Sequence, residues 1–141
     1  MKKLTEARDY LLASALGLKA KDLLTFAEKG AVTAYRGDGP PSFKVSYTAH
    51  LVVVGFPGNP QDLLFVMLSW MDRHLPSAPP DALKFHVDII DHKASDISMQ
   101  IEMADVIKAT VLPGGTMLQA QDDPDALGEL IADQALGLHD E

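Results

Sequence analysis

Apolar positions recur along this chain with two periods, one near 3.6 residues and one of 2, and their order sets out the elements. Leu4, Ala7, Leu11, Leu12 and Ala15 fall at helical spacing with Glu6 and Asp9 opposite. They predict a first helix from a Thr5 cap to about Leu16, stopped by Gly17. "LLTFAEKGAVTAY", residues 23–35, reads as a hairpin turning near Glu28, Lys29 and Gly30, where the glycine would take the positive φ of a tight turn. "RGDGPPS", residues 36–42, is a loop by composition, and its Arg36, Gly37 and Asp38 match an adhesion tripeptide by chance.

A long strand is expected from about Ser42 to Gly55, and it changes character on the way. Ser46 to His50 alternate, as on a strand with one wet face, whereas Leu51, Val52, Val53, Val54 and Phe56 form a run broken only by Gly55. A continuous β-branched run belongs where both faces are covered, so something must cover the second face. Asn59 as a cap, Pro60 at the first helical position and Asp62 in the first turn then open a second helix that should reach Leu75. Its polar stripe, Asp62, Ser69, Asp72 and Arg73, is narrow, and Phe65 falls inside it. Leu63, Leu64, Met67, Trp70 and Met71 make the opposite side.

"LKFHVDII" and "SDISMQIEM", joined by "DHKA", alternate and predict a second hairpin. Phe85, Val87 and Ile89 would share a face, as would Ile97, Met99, Ile101 and Met103. "VIKATVL" and "TMLQA" are further extended segments, and Asp123 with Pro124 announces a last helix carrying Leu127, Leu130, Ile131 and Leu138 against Asp125, Glu129 and Asp133. The sum is an α+β fold, a single mixed, mostly antiparallel β-sheet with helices packed on it. Residues 1–120 make one domain and residues 121–141 an acidic C-terminal helix and tail. The second helix covers one face of the long strand; the other needs the first helix or another subunit. Phe65, with Val52 and Val54 on the open face, is the candidate subunit interface.

Charge narrows the partners. Of 20 acidic residues seven lie in 121–141, where there is no Lys or Arg, which leaves 13 acidic against 12 basic residues in 1–120. A nearly neutral body with an acidic end has no basic footprint for nucleic acid. No stretch of about 18 apolar residues is present, and "MKKLTEARDY" puts charges where a signal peptide has its apolar core, so neither a membrane span nor secretion is indicated. The absence of cysteine rules out thiolate chemistry and disulfides and fits a reducing compartment.

Candidate chemistry is sparse. His86 and Asp88 project from one face of a strand and could form half of a metal site or an acid/base pair, but they alternate against the core positions, where a solvent face belongs. His50 and His74 read as structural histidines, the latter as a cation at a helix C-terminus, and Trp70 and the six methionines read as core filler. No glycine-rich phosphate cradle or serine elbow occurs, and no cofactor is expected. Apart from any family likeness the readings are a small cytoplasmic protein-binding adaptor and a small hydrolase using His86 and Asp88.

"SFKVSYTAHLVVVGF", a proline-started helix holding "LSWMDRHLP", and "FHVDIIDHKASDISMQIEM", in that order after an amphipathic helix and "LLTFAEKGAV", resemble the tail completion protein R family of contractile-tailed temperate phages and prophages. The likeness covers roughly residues 3–110. It implies a non-enzymatic virion tail protein assembled in the bacterial host cytoplasm, a terminator that caps the tail tube and helps join tail to head. It also implies a hexameric ring of its own copies, with the tail tube protein and a head-completion protein as partners and no cofactor.

Overall fold

In a computed structural model, which describes residues 1–35, 37 and 41–121, the elements run α1 (Lys2–Ala13), a 3-10 turn (Ala20–Asp22), β1 (Leu23–Tyr35), β2 (Ser42–Phe56), α2 (Pro60–His74), β3 (Lys84–Asp91), β4 (Ala94–Leu112) and β5 (Gly115–Ala120). The strands form one sheet in the order β1, β2, β4, β3, with β5 also on β4, and every pairing is antiparallel. Ile107 and Lys108 pair with both β2 and β5, so β5 takes the edge of β4 that β3 occupies farther along. This is the α+β sheet with packed helices that the periodicity predicts, without the parallel pair that "mixed" allowed. The expected helix after Asp123 lies outside the described residues.

β2 is the spine, and its register explains where the core sits. Leu23, Val53, Ile97 and Val87 lie abreast across β1, β2, β4 and β3, and Tyr47 lies abreast of Met103. The residues of alternate rows, Tyr47, Ala49, Leu51 and Val53 on β2 and Ile97, Met99, Ile101 and Met103 on β4, are buried. Leu63, Met67, Trp70 and Met71 of α2 meet this face, and so do Leu4, Ala7 and Leu11 of α1. Both helices therefore cover the same side of the sheet. Trp70 and four methionines are core, whereas Met1 and Met117 are exposed.

Both ends of α1 differ from the sequence expectation, the first because of a long-range contact and the second because of a local one. Helix α1 begins at Lys2 rather than after Thr5, whose hydroxyl donates back to the Met1 carbonyl at 3.0 Å. Its first turn is held instead by Asp105 of β4, whose Oδ1 accepts from the Lys3 backbone N–H at 3.3 Å. An anionic group at a helix N-terminus suits the dipole, and a partner 102 residues away cannot be read from local spacing. The helix ends at Ala13, where the Ser14 hydroxyl bonds the Leu11 carbonyl, and Gly17 takes its positive φ of 73° in the turn that follows.

Residues 23–35 are one strand, not a hairpin. β2 is long enough to pair with all of it, and the apparent turn is a bulge between Glu28 and Ala31 at which Lys29, not Gly30, adopts a positive φ of 54°. Helix α2 follows the expected grammar: the Asn59 side chain accepts from the Gln61 N–H at 3.0 Å, Pro60 opens the helix and Asp62 stands in its first turn. His74, at its last position, stacks on Trp70 with ring centroids 4.9 Å apart and faces Glu6 at 3.9 Å, which ties α2 to α1.

Candidate functional site

With helices of 12 and 15 residues laid on strands of up to 19, much of the sheet has no helix over it among the described residues. On the side away from the helices, Leu24 lies abreast of Val52 and Ser98, and Phe26 abreast of His50 and Gln100. Leu24 and Phe26 are about half exposed. His50 is held among them: its ring stacks on Phe26 with centroids 4.5 Å apart and its Nε2 meets Glu28 Oε1 at 2.6 Å. Next to it, Thr48 donates to Glu102 at 2.8 Å. These polar groups satisfy one another, and beside them Leu24, Phe26 and Val52 form an apolar patch on a face whose rows continue into the polar Ser98, Gln100, Lys84 and His86.

The far half of the sheet, Ala31–Tyr35, Ser42–Ser46, Ala104–Leu112 and β5, extends past the helices and leaves Val32, Tyr35, Val111 and Leu118 exposed. At the border between the halves sits Asp105, only 2% exposed. Besides Lys3 N–H it accepts from the Tyr47 hydroxyl at 2.9 Å, while the Lys3 ammonium donates to the Ala104 carbonyl. Burial foremost, then the charge and hydrogen bond of Asp105, push the Tyr47 hydroxyl well above its ordinary pKa, against a smaller opposing pull from a backbone bond to Leu4. Sequence reading passed over Asp105. The available signal was its parity, for it continues the core series 97, 99, 101, 103, where a carboxylate needs a buried partner.

The candidate interface residues are not brought together. Phe65, 70% exposed, stands on the outer side of α2 over a recess of about 400 Å³ shared with Tyr10 and Ala13 of α1. Val52 is on the opposite side of the sheet, and Val54 lies beside a bulge where Gly55 has a φ of 63°, next to Leu18 and Lys19. Phe65 therefore cannot share one patch with Val52. Phe85 and Ile89 do share the face of Met99 and Ile97, but at the edge strand β3 they extend beyond the helices and are exposed, Ile89 at 75%.

His86 and Asp88 meet at 2.9 Å, each side chain 72% exposed. Such an open pair lacks the desolvation that acid/base chemistry uses, and among the described residues no third group converges on it. No cluster of three or more His, Asp or Glu able to hold a metal occurs among the described residues, and no helix there is long and apolar enough to cross a membrane.

No curated protein and no solved structure matches the chain. A family model does, over residues 1–126, which includes both helices, all five strands and the border at Asp105. The match covers most of the chain, and the chain belongs to the family of the P2 phage tail completion protein R (GpR), a component of the virion tail.

Proposed function

We propose that this tail completion protein acts as a terminator: copies of the chain close into a ring on the head-proximal end of the tail tube, stop its growth and present a surface to a head-completion protein. The observation that carries the reading is the pair of unlike apolar surfaces on opposite sides of one subunit, Phe65 outside α2 and Leu24, Phe26 and Val52 on the open sheet face. A closed ring is built from heterologous contacts, in which one patch meets a different patch on the next copy, and separation of the two patches is what such a contact uses. Phe65 of one copy would seat against the Val52 and Val54 side of its neighbour. Six copies would match a six-fold tube.

The test is the mass of the full chain in solution by sedimentation, followed by electron microscopy of tail tubes incubated with it. A six-chain species found at one end of each tube supports the reading. A monomer that leaves tube ends bare, or a species decorating the tube along its length, refutes it.

A further inference from the structure

The helix side of the sheet has a recess that neither α1 nor α2 fills. Val45, Ile107 and Ala120 contribute to it together with Met1 and Lys2 at the start of α1, Glu6 and Asp105 also line it, and it measures about 580 Å³. The chain itself runs to this spot. β5 is antiparallel to β4 and so returns from the turn at Pro113 and Gly114 toward α1. Ala120 ends abreast of Ile107, and the Gln121 N–H bonds the Val106 carbonyl at 2.7 Å. Twenty residues, 122–141, follow from the mouth of the recess.

Their composition suits an apolar site with a wet outer side. Leu127, Leu130 and Ile131 recur at i, i+3 and i+4, a spacing that sets them against Asp125, Glu129 and Asp133. Leu127 is six residues beyond Gln121, a reach of about 9 Å if helical and about 20 Å if extended, so this stripe comes to the recess in either form. Tethering also decides between occupants. A segment joined to the rim acts at an effective concentration in the millimolar range, far above that of a second copy in dilute solution.

We propose that residues 122–141 cover this recess in the same chain, with Leu127, Leu130 and Ile131 set on Val45 and Ile107 and the acids left in water. The segment would complete, on the far half of the sheet, the cover that α1 and α2 give the near half. The inference concerns the isolated chain and stands apart from the terminator reading, since neither of its tests uses a ring or a tube.

The chain has no cysteine, so the variant carrying Ile107→Cys and Leu130→Cys holds one thiol pair. Oxidised at low concentration and weighed without reductant, it should form a disulfide within one chain. A link between two chains, or two free thiols, overturns the proposal. In the unaltered full chain, hydrogen exchange guards against a variant that folds poorly: amides of residues 127–131 should exchange at least about tenfold more slowly than in a free peptide. That protection should vanish in a Leu130→Asp, Ile131→Asp variant, and exchange at free-peptide rates in the unaltered chain also overturns the proposal.

Discussion

Tyr47 should make the stability of this domain fall at alkaline pH, by an amount that one substitution removes. Its hydroxyl is buried and donates to Asp105 at 2.9 Å, and burial with the neighbouring carboxylate raises its pKa in the folded state. In the unfolded chain the same phenol titrates near the ordinary value of about 10. Below that pH both states hold the proton and the contribution is fully present. Above it the unfolded chain releases the proton while the folded one keeps it, so stability declines with a limiting slope of about 1.4 kcal/mol per pH unit. Integrated to pH 11, the loss due to Tyr47 is about 1.4 kcal/mol. Tyr47→Phe loses a buried hydrogen bond, worth about 1 kcal/mol at neutral pH, but has no phenol to titrate. Urea midpoints for the two proteins should therefore differ at pH 7, favouring the parent, and converge near pH 11. Comparing the two cancels the lysines, which titrate in both. Parallel stability curves from pH 8 to 11 would refute the assignment of the hydroxyl as protonated and tied to Asp105.

Asp105→Ala leaves the Tyr47 hydroxyl and the first turn of α1 without their carboxylate and should cost about 3 kcal/mol in urea unfolding; a loss under 0.5 kcal/mol would mean that water replaces it freely. Lys29→Gly at the β1 bulge should gain roughly 0.5–1 kcal/mol, because a positive φ of 54° strains any residue with a Cβ, and a lower melting temperature would contradict this. Phe65→Asp should leave the melting temperature of the monomer nearly unchanged while weakening association, read by light scattering as a smaller species; an unchanged oligomer removes Phe65 from the interface. His86→Ala with Asp88→Ala should leave fold and tail assembly intact, and a folded variant that fails in assembly would assign that exposed pair a task.

Elements with local causes were legible in the sequence. Asn59, Pro60 and Asp62 announce α2 because caps and dipoles act within one turn, and the alternation of residues 95–103 announces β4 because side chains on a strand switch faces at every residue. The family, too, was legible, since order and spacing of packing residues carry it. The tertiary structure alone decided matters that depend on partners far along the chain. The stretch Glu28, Lys29, Gly30 has the chemistry of a turn, yet β2 offers pairing on both sides of it, and continuing the ladder through a bulge satisfies more backbone groups than turning back. Thr5 looks like a cap until Asp105 arrives from β4. The continuous apolar run of β2 suggested a strand covered twice. Local pattern can say that a residue is apolar but not which body will lie on it, and here both helices chose one face and left Leu24, Phe26 and Val52 on the other.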